Sequence, residues 1–297
     1  MASEKFARYL ELVRQQPRSD EVKVPSMRKQ LDRYGGRFPE GVVGTPVDVD
    51  GIPAEWVADE GAVDDAVVLY LHGGGYVAGS IDSHRNLLGH LARAMGCRVL
   101  APDYRLAPEH PHPAAVEDST AAFGWLVAQG IDPGRIVVAG DSAGGGLTVA
   151  TLVALRDAGG PMPAAAVPIS PWVDMEGTGE SITSRAEVDP MVSGAALRNI
   201  ALLFLGDDGD PHDPLAAPLH ADLTGLPPLL IHVGDHEVLL DDATRLAANA
   251  EEAGVEVTLE VWPEMTHVWH GSAGYVPEAD AAIARIAEFA RPLVGLA

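Results

Sequence analysis

The sequence predicts an α/β fold in which a mostly parallel sheet is covered by helices on both faces. Two observations from residue 66 onward predict it: short, nearly continuous apolar runs, and amphipathic segments that separate them. Strands buried on both faces have this apolar pattern, and parallel strands are usually connected by helices. The predicted strands are 66–72, 97–104, 135–140, 165–170, 228–234 and 255–262. The predicted helices are 83–95, 114–129, 143–157, 239–253 and 277–292.

Two helices and a hairpin are predicted before this alternation begins. Residues 4–16 and about 24–34 resemble helices, the first with apolar side chains at helical spacing. Residues 45–59 alternate in polarity around Asp50-Gly51, a pair that is typical of two-residue hairpin turns.

One internal segment, about 180–220, also falls outside the alternation. It is rich in Pro, Gly and Asp and contains one helix-like stretch. Ligands of parallel sheets bind beyond the carboxyl ends of the strands, so we expect this segment to lie over that edge. A long surface loop without a role in binding is the alternative.

The charge of the chain argues against several classes of partner. Its 297 residues include 43 Asp and Glu against 20 Lys and Arg, which gives a formal net charge of −23. So acidic a surface repels phosphate backbones and anionic lipids, so we expect neither nucleic acid nor a membrane surface as a partner. The N-terminus carries charges throughout and lacks the apolar region of a signal peptide, and no run of about 18 apolar residues occurs. We therefore expect a cytoplasmic protein.

Cys97 is the only cysteine, which rules out an intrachain disulfide. It lies in a predicted buried strand, so we expect a small core residue rather than a catalytic thiol.

A serine stands between glycines where a predicted strand becomes a predicted helix. A tight strand-to-helix turn strains its middle residue and requires tiny residues two positions before and after it. Gly140 and Gly144 meet this requirement, so Ser142 is predicted to present its hydroxyl as a nucleophile. The adjacent Asp141 is expected to stabilise the turn by hydrogen bonds. A phosphate-binding loop is the alternative, but the lysine of the Walker pattern is missing.

A second glycine cluster follows the first predicted parallel strand. A serine that attacks an ester creates an oxyanion, which needs preformed donors. We expect these to be the backbone N–H groups of Gly74 and Gly75, with Gly73 next, together with Ala143. His72 is expected to orient this turn rather than to transfer protons.

The base should follow the last strand, since the partners on such a fold come in the order serine, acid, histidine. His267 and His270 lie in that region. We favour His267, which comes five residues after the predicted strand end at Trp262.

The acid should follow the preceding strand, where four carboxylates occur. We expect Asp235 at the strand end to cap the next helix, and Asp241 and Asp242 to lie inside it. Glu237 lies in the loop, from which a carboxylate can accept the imidazole N–H. From the residues alone, Glu237 is only modestly favoured over Asp241.

Four motifs together resemble one known family. They read HGGGY (72–76), DYRLAPEHPHPAA (103–115), GDSAGGG (140–146) and SPWVD (170–174). Over about 65–290 the chain is similar to the bacterial hormone-sensitive-lipase-like esterases of the α/β-hydrolase fold. The resemblance implies a carboxylic ester hydrolase that needs no cofactor.

The resemblance also implies roles for individual residues. By position it implies Ser142 as the nucleophile and His267 as the base. The acid of the family lies in an Asp-Pro-Leu-x-Asp segment, which reads Glu237-Val-Leu-Leu-Asp241 here. It is therefore implied at Glu237, 30 residues before the histidine, with Asp241 in reserve because glutamate replaces aspartate.

The helical N-terminus is similar to the cap of that family. We therefore expect one domain, 1–297, in which 1–40 and about 180–220 form a cap over the active site. The family often dimerises through an edge strand, which implies a homodimer through 255–262. The chain is also similar to the branch that hydrolyses short acyl esters and small lactones.

The substrate pocket and a metal site are less well defined by the sequence. His110 and His112 could suggest metal ligation, but their proline-rich setting favours a rigid loop, and we expect no metal. Packing is the alternative role for most of the candidate pocket residues. These candidates are Tyr76, Met27, Tyr34, Met191, Leu203 and Phe204.

Two alternatives to an esterase remain at this point. One is a ligand-binding protein of the same fold without catalysis, and the other is an amidase or peptidase with the same catalytic residues. The expected partner in the leading hypothesis is a small-molecule ester or lactone substrate.

Overall fold

The computed structural model describes residues 2–15 and 20–297. The strands in these parts of the chain are β1 (Val43–Val49), β2 (Ile52–Ala58), β3 (Val63–Leu71), β4 (Cys97–Pro102), β5 (Ile136–Asp141), β6 (Ala165–Ile169), β7 (Leu229–Gly234) and β8 (Val257–Trp262). The α-helices there are α1 (Glu4–Arg14), α2 (Val24–Tyr34), α3 (Ile81–Met95), α4 (Ala114–Ala128), α5 (Ala143–Asp157), α6 (Ser181–Ser184), α7 (Gly194–Leu205), α8 (Leu240–Glu252) and α9 (Pro277–Leu293).

The strands form one sheet of eight in the order β1-β2-β4-β3-β5-β6-β7-β8. β3 pairs in parallel with β4 and β5, and every neighbour from β5 to β8 is also parallel. β1 and β2 form an antiparallel hairpin, and β2 runs antiparallel to β4. The predicted mostly parallel sheet of an α/β fold is confirmed.

The hairpin turn has the geometry that its sequence predicts. Asp50 and Gly51 connect β1 to β2, and both have positive φ angles, 52° and 96°. Two such residues match the twist of the flanking strands in a two-residue hairpin turn.

The predicted helix 4–16 ends at Arg14, and its last residue lies outside the described residues.

Two apolar layers lie on opposite faces of the sheet. Alternate residues of β3 point to opposite layers, so Leu69 belongs to one core cluster and Val68 to the other. Helices α4, α5 and α8 cover the first layer, whereas α1, α3 and α9 cover the second. The predicted cover of helices on both faces is confirmed.

Cys97 opens β4 and is fully buried in the second layer. Burial raises the pKa of its thiol to about 12, although three arginines oppose this shift. The side chain is therefore a small core residue, as the sequence predicts.

The segment that leaves the α/β alternation carries α6 and α7 and contacts the N-terminal part of the chain. Ser193 Oγ donates to Asp20 Oδ1 at 2.6 Å, and Asn199 Nδ2 donates to the Asp20 carbonyl oxygen at 3.1 Å. The His112 N–H donates to the Phe204 carbonyl oxygen at 2.8 Å.

Within 2–15 and 20–297, no helix has both the length and the apolar character required to cross a bilayer.

Candidate active site

Ser142 occupies a strained turn between β5 and α5. Its backbone has φ 56° and ψ −121°, a conformation that is costly for a residue with a side chain. A Cβ atom on Gly144 would overlap the Leu71 carbonyl oxygen, and one on Gly140 would overlap the Gly144 carbonyl oxygen. Both glycines are therefore required by close backbone approach, as the spacing around Ser142 predicts.

A hydrogen-bonded series connects this serine to a histidine and a carboxylate. His267 Nε2 lies 2.9 Å from Ser142 Oγ, and His267 Nδ1 lies 2.8 Å from Glu237 Oε2. Glu237 is fully buried and His267 is 7% exposed, whereas Ser142 is half-buried. The serine hydroxyl is thus the member of the series that an incoming substrate can reach.

The surroundings of Glu237 fix the tautomer of His267. Glu237 Oε1 accepts from Ser170 Oγ at 2.8 Å and from the Gly234 N–H at 2.6 Å, which leaves Oε2 for the imidazole. An ionised carboxylate can only accept, so His267 Nδ1 carries a hydrogen. The lone pair of Nε2 then faces the hydroxyl of Ser142, which is the geometry of a general base.

Electrostatics also favour His267 as a proton acceptor. Burial lowers the pKa of His267, but the hydrogen bond and charge of Glu237 outweigh it, with smaller contributions from Asp189 and Asp141. The pKa is therefore raised above its ordinary value. A raised pKa stabilises the imidazolium that forms when the serine proton is taken.

The other candidate acids have partners elsewhere. Asp241 Oδ2 accepts from the Ser181 N–H at 2.9 Å, and Asp242 Oδ2 accepts from the N–H groups of Val173 and Asp174. Both lie in the first turn of α8, as predicted.

The predicted cap at Asp235 is wrong. The chain continues through residues 236–239 before α8 begins, so Asp235 is too far from the first turn of the helix. Its Oδ1 instead accepts from the Glu264 N–H at 2.6 Å.

His270 lies apart from the nucleophile. Its Nε2 is 3.0 Å from Nδ1 of His232, and both rings are fully buried. Burial, together with His232, lowers the pKa of His270 well below its ordinary value. Of the two histidines that the sequence offers as a base, His267 is the one that contacts Ser142.

The turn 72–75, called here the oxyanion turn, brings backbone N–H groups to the same edge of the sheet. Gly74 has φ 124°, and a Cβ on it would overlap the Ala78 carbonyl oxygen. Across residues 2–15 and 20–297, the N–H groups of Gly74, Gly75 and Ala143 donate to no protein acceptor. They are therefore free to donate to a substrate oxygen.

Gly73 requires a correction as an oxyanion donor. Its N–H lies 3.0 Å from Asp141 Oδ1, so a charged acceptor already uses this hydrogen. The candidate donors that remain are the N–H groups of Gly74, Gly75 and Ala143.

His72 orients the oxyanion turn through its ring and its backbone. The ring stacks on Tyr104 with centroids 4.2 Å apart, and Nδ1 lies 2.9 Å from the Gly73 carbonyl oxygen. Tyr104 Oη donates to the His72 carbonyl oxygen at 2.7 Å. Burial lowers the pKa of His72 to about 4, so the ring is neutral at pH 7.

Asp141 forms hydrogen bonds beside the nucleophile, as the sequence predicts. Its contact with His84, however, is not predicted. Its Oδ1 accepts from Tyr70 Oη at 2.8 Å and lies 3.1 Å from Nε2 of His84. No motif or spacing marked His84, since it lies inside a predicted helix. Ser170 was likewise missed as a partner of Glu237, although the SPWVD motif begins with it.

The candidate pocket residues lie in different surroundings. Tyr76 and Phe204 stack with ring centroids 3.8 Å apart, and each is 1% exposed. Tyr34 and Met191 are 58% and 42% exposed. Met27 and Leu203 are half-buried against the core.

The two histidines of the proline-rich loop, His110 and His112, do not converge as metal ligands. His112 Nε2 lies 3.2 Å from Asp213 Oδ2, and His110 is exposed. In the described stretches of the chain, the one group of potential metal ligands that converges is Glu176, His212 and His220, and all three are exposed.

Comparisons with known proteins identify the fold and the family of the chain. A family model described as the alpha/beta hydrolase fold matches residues 68–271. An acetyl-hydrolase of Streptomyces hygroscopicus is 48% identical over 299 residues, which is 99% of each chain. An esterase of Acinetobacter venetianus is 35% identical and covers 90% of this chain and 89% of its own.

A solved structure resembles the whole chain. It is the crystal structure of an esterase from the bacterial hormone-sensitive lipase family, with a TM-score of 0.95 and 51% identity. The match covers 99% of this chain and 100% of the other.

Proposed function

Because the chain belongs to the bacterial hormone-sensitive lipase family of α/β-hydrolases, and is a carboxylic ester hydrolase, we propose that it cleaves short- to medium-chain acyl esters through an acyl-enzyme on Ser142. The observation that carries this proposal is the unbroken hydrogen-bonded series from Ser142 through His267 to the buried Glu237. His267 is the base and Glu237 is the acid that orients it.

Acylation begins when His267 Nε2 takes the hydroxyl proton of Ser142 while Oγ attacks the ester carbonyl. The carbonyl oxygen becomes negative and receives hydrogen bonds from the N–H groups of Gly74, Gly75 and Ala143. Ala143 opens α5, so the positive end of the helix dipole also faces this oxygen. His267 then gives its proton to the departing alcohol, and the acyl group stays on Ser142.

Deacylation repeats these steps with water as the nucleophile. His267 takes a proton from water, the hydroxide oxygen attacks the acyl carbon, and the proton returns to Ser142 Oγ as the acid leaves. Glu237 keeps its hydrogen bond to Nδ1 of His267 throughout and stabilises the transient imidazolium.

The name of one relative supports a short acyl group. The Streptomyces hygroscopicus protein, similar over nearly its whole length, is called an acetyl-hydrolase. We propose esters of short- to medium-chain acids as substrates, and small lactones as cyclic members of the same class. The buried Tyr76–Phe204 stack next to the oxyanion turn supports a limit on acyl length on that side.

The cap is part of the same proposal. Residues of 20–40 and about 180–220 contact each other through Asp20 and Ser193, and α2 contacts the chain just after the oxyanion turn through Arg28 and Val77. Together with the rest of 1–40, of which 1 and 16–19 lie outside the described residues, these segments would cover the acyl group. Nucleophile and cap belong to one domain in this proposal.

The decisive experiment replaces Ser142 by Ala and measures hydrolysis of p-nitrophenyl acetate and butyrate. We expect kcat to fall by at least about 10⁴-fold, since the nucleophile is lost. Thr45→Ala is the matched control, because Thr45 is an exposed hydroxyl residue of β1 outside both the site and the proposed cap. A fluorophosphonate should add one label to the native chain at Ser142 and none to Ser142→Ala.

Retained turnover in Ser142→Ala would refute the assignment of the nucleophile. A native chain that binds the ester without turnover would be a ligand-binding protein. Faster turnover of the matched amide than of the ester would instead identify an amidase.

A further inference from the structure

We infer that His84 is a positioning residue of this esterase site. As a cation it neutralises Asp141, so that this carboxylate can hold the oxyanion turn without leaving a net negative charge beside the developing oxyanion. The inference rests on the proposed function, because it assigns a role in the same reaction. His84 lies in the first turn of α3, far in sequence from both catalytic motifs.

The carboxylate of Asp141 ties two parts of the site together. Asp141 immediately precedes the nucleophile, and its Oδ1 accepts from the Gly73 N–H at 3.0 Å and from Tyr70 Oη at 2.8 Å. Gly73 in turn precedes Gly74 and Gly75. A shift of this carboxylate would therefore move the donors of the oxyanion relative to the serine.

Both ring nitrogens of His84 face hydrogen-bond acceptors. Nε2 lies 3.1 Å from Asp141 Oδ1, and Nδ1 lies 3.2 Å from the Ser80 carbonyl oxygen and 2.7 Å from Ser83 Oγ. The Ser83 hydroxyl, which donates to the Ser80 carbonyl oxygen at 2.8 Å, keeps a lone pair that can accept from Nδ1. The Ser80 carbonyl and the Asp141 carboxylate can only accept, so a hydrogen on each ring nitrogen satisfies both, which makes the ring an imidazolium.

The Gly73 N–H also lies near His84, with 3.3 Å between its nitrogen and Nε2. A protonated Nε2 has no lone pair to accept this hydrogen. The shorter contact with Asp141 therefore takes it, and Asp141 collects hydrogen bonds from His84, Gly73 and Tyr70.

Because Asp141 is buried, its negative charge requires a positive charge close by, and His84 supplies it. The side chains of His84 and Asp141 are only 10% and 5% exposed, so water cannot compensate either charge. Burial lowers the pKa of His84, yet the charge and hydrogen bond of Asp141 outweigh it and raise the pKa. Burial likewise opposes ionisation of Asp141, but His84 and Tyr70 lower its pKa to about 2.

The other groups around His84 agree with a single positive charge there. The ring of His72 lies 5.6 Å away between centroids and is neutral, and the charge of His84 contributes to its lowered pKa. Asp32 adds a further negative charge that favours the cation, and Tyr70 lies 6.2 Å away between ring centroids.

The experiment replaces His84 by Gln, which keeps one donor but removes the charge. We expect kcat for p-nitrophenyl butyrate to fall by about 10- to 100-fold with KM within about threefold, since the negative charge of Asp141 would oppose the oxyanion only in the transition state. Rates are expressed per active site, counted by fluorophosphonate titration. His90→Gln, a histidine further along α3, is the matched control and should retain the native kcat.

A double-mutant cycle separates this role from simple packing. Asp141→Asn keeps an oxygen for Gly73 and Tyr70 but removes the charge that His84 neutralises. In the Asp141→Asn chain, His84→Gln should therefore change kcat by less than about threefold. If His84→Gln alone does not fold, Asp141→Asn can still be compared with the double variant. A loss of kcat above about threefold in that comparison would contradict the role of His84.

Two results would overturn the role of His84: native kcat in His84→Gln, or an equal loss of kcat with and without Asp141→Asn. Failure of the proposed function has a different signature, because Ser142→Ala would then retain turnover.

Discussion

At the residue scale, Glu237 combines two functions in one carboxylate. One oxygen is held by Ser170 and Gly234, and the other orients His267. A longer side chain than aspartate can therefore still present a fixed oxygen to the imidazole, since its reach is set by those two donors.

Replacing Glu237 by Gln should lower kcat by roughly 10³- to 10⁴-fold, because the amide cannot both keep its donors and accept from Nδ1 of His267. Ester hydrolysis at saturating substrate measures this. Asp241→Asn is the matched control and should stay within about threefold, as its oxygen can still accept from Ser181. The reverse ranking would transfer the role of the acid to Asp241.

The acidic limb of the pH–rate profile should report His267. The neutral imidazole is the base, so kcat/KM rises with pH through the pKa of His267, which lies above the ordinary value of about 6.5. Glu237→Gln removes the main group that raises this pKa, so its residual activity should show the limb at lower pH. A limb that does not move would mean that Glu237 does not set the charge of the base.

At the element scale, the turn between β5 and α5 depends on the close approach of three backbone segments: the end of β3, the end of β5 and the start of α5. A side chain at Gly140 or Gly144 would collide with carbonyl oxygens, which cannot move without disturbing the parallel pairing of β3 with β5. The strain at Ser142 is thus maintained by the surrounding sheet.

Gly144→Ala should lower the free energy of unfolding by about 3 kcal/mol or more, because the new methyl group overlaps the Leu71 carbonyl oxygen. Urea denaturation followed by circular dichroism measures the change. Gly124→Ala is the control: Gly124 lies in α4 with open space around its Cα, so alanine should stabilise the chain by about 0.5–1 kcal/mol. Equal stability of the two variants would contradict the close contact at Gly144.

Local patterns explain why the elements could be predicted from the sequence. Apolar runs define the strands, and the glycines around Ser142 and the Asp50-Gly51 pair reflect constraints within a few residues. The ends differ by up to three residues, as at β3, which begins at Val63 rather than residue 66.

The remaining features of the site depend on contacts between distant segments. Without the family resemblance, the residues only modestly favour Glu237 over Asp241, because the decision depends on which side chain reaches His267 in space. The same limit hid His84, which meets Asp141 only after α3 packs against β4 in the folded chain. Gly73 was included as a donor because a glycine run does not reveal that a carboxylate already binds its N–H.

At the scale of the whole molecule, Arg28 contributes several of the hydrogen bonds that attach α2 to the body of the protein. Arg28 donates from Nε to the Val77 carbonyl oxygen at 2.8 Å and from a terminal nitrogen to that of Ala107 at 3.0 Å. It also forms an ion pair with Glu109, and this hydrogen bond lowers the pKa of Glu109 to about 2.

Arg28→Ala should therefore loosen α2 and raise KM, while kcat changes less because the catalytic groups stay in place. Hydrogen–deuterium exchange should be at least about tenfold faster for the amides of α2. Lys29→Ala, on the same helix but exposed, should leave both measurements unchanged. Native protection of α2 in Arg28→Ala would show that other contacts hold it.

Assembly is also a property of the whole molecule. β8 is the last strand of the sheet and has an unpaired edge. A homodimer through this edge stays a prediction, which light scattering of the native chain can test.

The burial of Cys97 has a practical consequence for spectroscopy of α2. Its thiol is inaccessible and its pKa is far above neutrality, so maleimide reagents should not modify the folded chain. A cysteine introduced at an exposed position of α2, such as Lys29, would then be the sole site to accept a fluorophore or spin label. The native sequence is thereby ready for spectroscopy of α2 without any prior removal of thiols.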